Sequence, residues 1–189
     1  MGTDHPLFLK VSKVNICVVK IGEVEDFVIS TLRSGLKINF GWGIKLIGAL
    51  EIPAQSYNHL RKQFHSTTIL RHIKNQIKTD DCFMVLGVAS VDLYVEGLNF
   101  VFGEARPLDK ICIISVYRLR PEFYNDKPNM KIFERRILTE AVHEIGHLFN
   151  LRHCSNPNCV MFFSNSIFDT DRKGFLFCSK CQSKLGILK

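Results

Sequence analysis

Two histidines four residues apart, with a third six residues further on, constrain this chain more than any other feature: His143-Glu-Ile-Gly-His147, then His153. On a helix, positions i and i+4 project from one face, so His143 and His147 can grip a single ion with Glu144 beside it. The composition of the chain makes the five-residue pattern a chance event about 0.01 times per sequence, and about 0.0004 times once His153 is required at its spacing. Two solvated helix histidines are the bland alternative, and those odds disfavour it. Three nitrogen ligands leave one tetrahedral position open for water. For His153 to return to the ion, the helix must stop soon after His147, at a residue tolerant of positive φ. Asn150 is second only to glycine in that respect. Glu144 then stands as general base toward a water at the open position, while a metal polarises the substrate carbonyl.

A second ligand set follows at once. Cys154, Cys159, Cys178 and Cys181 read C-x4-C, eighteen residues, C-x2-C, a spacing suited to a closed tetrahedral thiolate site. Residues 154–189 are too few and too thinly apolar for a core of their own, so a metal staple has a physical task there. That site would also fix His153, its neighbour in sequence. The remaining cysteines, Cys17, Cys82 and Cys112, lie in apolar runs, where a free thiol behaves as a small hydrophobe. With no signal-peptide pattern at Met1–Lys10, reduced thiols in a cytoplasmic protein are the expectation.

The other 150 residues give the fold class. The chain of 189 residues is 46% hydrophobic and 23% charged, enough for one sizeable core and inconsistent with disorder. No apolar run approaches the roughly 18 residues of a membrane span. Val11–Ile21 is β-branched and predicts a buried strand, and Val24, Phe27, Val28 and Leu32 a helix stopped by Gly35. Ile44–Leu50 predicts a second strand, ended by Pro53. Ile69, Leu70, Ile73 and Ile77 predict a helix whose outer side carries Arg71, Lys74 and Lys78. Strands follow at Cys82–Ala89, Leu98–Phe102 and Ile111–Tyr117. The longest helical pattern runs from Met130 to Leu151, ending near Asn150. Alternating strands and helices predict an α/β layer with a twisted mixed sheet. One domain over 1–189 is expected, with an N-terminal subdomain at 1–153 and a small zinc-stapled C-terminal one at 154–189.

The motifs together resemble a known family. HExxHxxGxxHC-x4-CxM-x16-CxxC is the signature of the archaemetzincins, within the metzincin zinc peptidases. This chain reads HEIGHLFNLRHC, SNPNCVM and CSKC, and the segments Asp92–Ala105 and Ser115–Phe123 are also similar. The resemblance implies an α+β metzincin-like fold and two zinc ions, one catalytic on His143, His147 and His153 and one structural on the four cysteines. It further implies Glu144 as the base, Met161 as the Met-turn beneath the metal, and a peptide or protein as substrate. Alone, Met161 would read as a core gap-filler. Asn150 departs from the glycine usual in the family. Phe163 stands where some other metzincins have a tyrosine that helps the oxyanion, so no oxyanion donor is assigned. Metzincins bind substrate along a sheet edge, and Asn99, Phe100, Val101, Phe102 and Gly103 are the candidate edge strand.

A different class of function also fits the composition. A net charge of +7 and paired cysteines allow a zinc-binding or nucleic-acid module with a structural three-histidine site. Glu144 argues against it, since a purely structural site gains nothing from a carboxylate beside its ions. His59, His65 and His72 among Arg61, Lys62 and Arg71 read as a solvated basic face. Nucleic acid is therefore disfavoured as a partner, and no feature sets the oligomeric state.

Overall fold

The computed structural model describes residues 15–77 and 82–185. Met1–Lys10, the first four residues of the expected strand at Val11 and Lys78 lie outside them. The strands are β1 (Asn15–Ile21), β2 (Gly43–Leu50), β3 (Tyr57–Asn58), β4 (Gln63–His65), β5 (Met84–Ala89), β6 (Leu93–Tyr94), β7 (Gly103–Arg106) and β8 (Ile111–Ser115). The helices are α1 (Asp26–Phe40), α2 (Ser66–Gln76), α3 (Met130–Leu148), α4 (Ile167–Lys173) and α5 (Ser179–Lys184). The fold is α/β with a mixed main sheet in the order β2-β1-β5-β8-β7. Four of its strands are parallel, and only β7 runs antiparallel, at the edge.

Period-two alternation explains why the inner strands read as continuous apolar runs. Ile16 and Val18 of β1 face one core with Leu86, Val88, Cys112 and Ile114, which α1 and α3 cover. Cys17, Val19 and Ile21 face a second core on the opposite side, closed by Ile69, Leu70 and Ile73 of α2. Parallel strands sandwiched between helices must be apolar on both faces. A small sheet, β3-β4-β6, flanks this framework. No described helix is long and apolar enough to cross a membrane.

Three expectations are corrected. Gly35 does not stop α1. The helix continues to Phe40 and is capped by Gly41 at φ 67°, while Gly35 gives room for Leu138 of α3. Leu98–Phe102 is not a strand: the Arg61 guanidinium donates to the carbonyls of Leu98 and Asn99, and Gln63 Nε2 also donates to Asn99. Side chains thus take the carbonyls that a ladder would use, and only Val101 makes an isolated bridge, to Leu93. The edge strand is instead the polar Gly103–Arg106, which shares only Gly103 with the candidate edge segment. Finally, Cys17 and Cys82 are not free thiols but a disulfide, with Cα atoms 5.6 Å apart. Adjacent pairing of β1 and β5 brings these positions together across 65 residues, a proximity no local pattern reveals.

Candidate metal centre and cleft

The centre is built on the last turns of α3, which is capped at its N-terminus by Asn129, whose side chain accepts from the Ile132 N–H at 3.2 Å. His143, Glu144 and His147 follow on its buried side, His143 and Glu144 each 5% exposed. The helix ends at Leu148 and Asn150 takes φ 63°, the left-handed conformation, turning the chain back toward the helix. This brings His153 to the other two imidazoles. One ring nitrogen from each of the three lies within 4.8 Å of the others, and the His143 and His147 Nε2 atoms are 3.2 Å apart.

Backbone carbonyls set the tautomers. His143 Nδ1 is 2.6 Å from the Val160 carbonyl and His147 Nδ1 is 2.8 Å from that of Leu151. A carbonyl only accepts, so each Nδ1 carries the proton and each Nε2 keeps its lone pair for a ligand bond. The 3.2 Å separation is therefore not a hydrogen bond. Two nitrogens at about 2.0–2.1 Å from one tetrahedral zinc lie roughly 3.3 Å apart, so the pair fits such an ion. Burial, with Lys173 adding to it, holds His143 well below the ordinary histidine range, and burial also lowers His147 and His153. Neutral imidazole is the form a metal needs.

Glu144 points to the edge strand. A Cβ built on Gly103 would lie 2.7–2.8 Å from the Glu144 side chain, so only glycine lets β7 approach the carboxylate this closely. Burial foremost, then the Glu140 carboxylate, raises the Glu144 pKa well above the usual carboxylate range. A cavity of about 50 Å³ beside it is lined by Phe100, Phe102, Glu140, Ser164 and Lys173. Arg118 donates to both Asp92 oxygens at 2.6 and 2.7 Å and lies over the Phe100 ring, one of the residues lining this cavity.

Met161 is fully buried. A Cβ on Gly146 would come within 2.4 Å of its Sδ, so the glycine inside the HEIGH run is what admits the thioether. The Cys154 N–H donates to the Met161 carbonyl at 2.8 Å, tying the histidine turn to the cysteine segment. Phe163 packs edge-on against His153, with ring centroids 4.9 Å apart. The Sγ atoms of Cys154, Cys159, Cys178 and Cys181 also lie within 4.8 Å of one another, Cys154 and Cys178 at 3.8 Å. Sulfurs about 2.3 Å from a shared tetrahedral zinc would be roughly 3.8 Å apart. Burial opposes ionisation of Cys178, yet the Cys181 N–H and the neighbouring thiols bring it down to about 7.

Two buried residues at the centre escaped sequence reasoning. Glu140 and Lys173, 33 positions apart, form an ion pair at 3.1 Å with side chains 3% and 0% exposed. In sequence they look like two ordinary surface charges. The only signal was Glu140 lying three residues before His143 on the buried stripe.

Comparison with known proteins places the chain in context. The model of Peptidase family M54 matches residues 28–186. An archaemetzincin from Pyrococcus furiosus is 46% identical over 178 residues, 90% of this chain and 91% of that one. One from Methanocaldococcus jannaschii is 44% identical over 172 residues, 91% and 93% of the two chains. Among solved structures, the archaemetzincin from Archaeoglobus fulgidus, complexed with malonate, superposes with a TM-score of 0.78 at 37% identity, covering 90% of this chain and 99% of that one. The archaemetzincin from Methanopyrus kandleri gives 0.82 at 31% identity, covering 96% and 98%.

Proposed function

The chain belongs to peptidase family M54 and is a zinc metallopeptidase, and from that premise we propose that His143, His147 and His153 hold its catalytic zinc and that Glu144 is its general base. The observation that carries this reading is the set of three imidazoles converging within 4.8 Å next to a buried carboxylate. Bound there, zinc supplies a Lewis acid for the scissile carbonyl and acidifies water. Glu144 takes the proton of the attacking water and returns it to the departing amine. Its raised pKa suits a group that must hold that proton between the two steps. His143 and His147 stay oriented throughout by their carbonyl partners.

The substrate backbone lies along β7, whose outer edge is unpaired among the described strands and runs past Glu144 at Gly103. Met161 serves as the Met-turn, filling the space under the ligands that Gly146 leaves. A second zinc sits on the four cysteines as a closed structural site, making two ions per chain and stapling the C-terminal unit from Cys154 onward to the rest of a single catalytic domain.

Peptide-library cleavage tests the reading. Hydrolysis by the parent should vanish on chelation and return with zinc. Glu144→Gln should lose roughly 100-fold or more in turnover, the scale of a deleted acid–base group, while retaining its zinc. A zinc-loaded Glu144→Gln that cleaves as fast as the parent would rule out this mechanism.

A further inference from the structure

We propose that Glu140 and Lys173 form a charge-neutral positioning pair behind the three-histidine site, in which Lys173 holds the backbone that orients His143 and Glu140 cancels the ammonium charge facing that ring. This rests on the reading that the three histidines bind a metal.

The geometry is specific. Lys173 Nζ, at the end of α4, lies 3.3 Å from the Phe162 carbonyl and 3.3 Å from His143 Nδ1. His143 Nδ1 gives its proton to the Val160 carbonyl at 2.6 Å and so cannot accept from the lysine. The ammonium therefore meets a ring N–H, two positive ends in contact. Left alone, that charge would oppose a divalent ion on the far side of the same imidazole. Glu140 offsets it, accepting from Lys173 at 3.1 Å and from the Thr170 hydroxyl at 2.8 Å. Glu140 also precedes Glu144 by one helical turn, and without Lys173 its own charge would bear on that carboxylate. Val160 and Phe162 flank Met161, so the lysine anchors the segment carrying both the orienting carbonyl and the methionine.

Stability alone gives little reason for such a pair. A buried ion pair is seldom better for folding than apolar residues of the same volume, because both ions lose their hydration. Groups that orient and neutralise metal ligands from behind are worth about 10–100-fold in affinity.

Cobalt binding is the test, because it reads the two ligand sets separately by their spectra and needs no activity. Glu140→Gln, which keeps shape and the Thr170 hydrogen bond, should weaken cobalt at the histidines by about 10–100-fold. It should leave the thiolate charge-transfer band of the cysteine site unchanged. The double variant Glu140→Gln/Lys173→Met, which removes both charges, should bind more tightly than the single one. A purely structural role predicts the reverse order, with both sites weakened together. The proposal is overturned if Glu140→Gln binds within twofold of the parent, or if the double variant is no tighter than the single. Should Glu140→Gln fail to fold, Thr170→Val removes one hydrogen bond to the same carboxylate and no charge. It should lower affinity at the histidines by about fivefold, and no change would overturn the proposal. A folded parent that takes cobalt only at its cysteines contradicts the site reading itself, a result distinct from any variant effect.

Discussion

His153 and Cys154 are neighbours in sequence, yet the ligand sets they complete are held in opposite ways. Two members of the histidine set, His143 and His147, lie on a 19-residue helix packed against the sheet, with ring orientations fixed by backbone carbonyls. The cysteine set gathers a turn residue, two loop positions and one residue of α5 around short helices of seven and six residues. Helices of that length do not persist without tertiary support. Packing makes the first site, and it should exist before any ion arrives. The second site and the polypeptide around it depend on what joins the four sulfurs.

The widest separation between the two should appear on mutation. Cys178→Ser or Cys181→Ser is expected to destabilise the protein by about 4 kcal/mol or more, since a closed site contributes folding energy directly. His147→Ala should abolish turnover at a stability cost below about 1.5 kcal/mol. Chemical denaturation of the zinc-loaded variants reads both, and equal losses would erase the distinction. A covalent staple sharpens it further. Opening the Cys17–Cys82 disulfide, which spans 65 residues, should cost about 2–4 kcal/mol. That loss should respond to reductant and not to chelator, the inverse of the cysteine cluster, as parallel melting curves would show.

Gly146→Ala probes the contact shared by both regions. The added methyl meets Met161 Sδ, and overpacking of this kind costs about 1–3 kcal/mol. It should also lower metal affinity at the histidines, measurable by chelator competition. Asn150→Val should cost about 1–2 kcal/mol because a β-branched residue must then take the left-handed turn, whereas Asn150→Gly should be neutral or better. The smallest effect is in pH. His143 and His147 titrate below the ordinary value of 6.5 when folded, so the unfolded chain binds more protons under acid. The metal-free protein should therefore lose stability, by at most about 1 kcal/mol per histidine, as pH falls from 6.5 to 5.5. Flat stability over that window would mean the imidazoles are not held neutral.

Legibility in the sequence followed the range of the interactions. Local patterns placed β1, β2, β5, β8 and the three longer helices, because apolar spacing within a segment records the faces it buries. Both side-chain clusters were readable because their spacing along the chain is one that metal ligands use, and the fold brings each within 4.8 Å. What escaped was long-range. Nothing local ties Cys17 to Cys82, or Glu140 to Lys173, and each pair exists only through strand adjacency or helix packing. The edge strand Gly103-Glu-Ala-Arg106 carries little apolar signal, since Glu104 is satisfied by the Ser66 and Thr67 hydroxyls of α2 rather than by a core. In its apolar neighbour Leu98–Phe102, which reads locally as a strand, Arg61 and Gln63, distant in sequence, take the carbonyls of Leu98 and Asn99.

Stepwise removal of zinc tests the division of labour most directly. Zinc content, peptide hydrolysis and melting temperature would be followed in the same samples along a chelator titration. The open three-nitrogen site should empty first, taking all hydrolysis with it while the melting temperature stays within a few degrees of the loaded value. Loss of the second ion should then collapse the melting temperature. Hydrolysis that survives departure of the first ion, or a melting temperature that falls in step with it, would contradict the assignment of one site to chemistry and the other to folding.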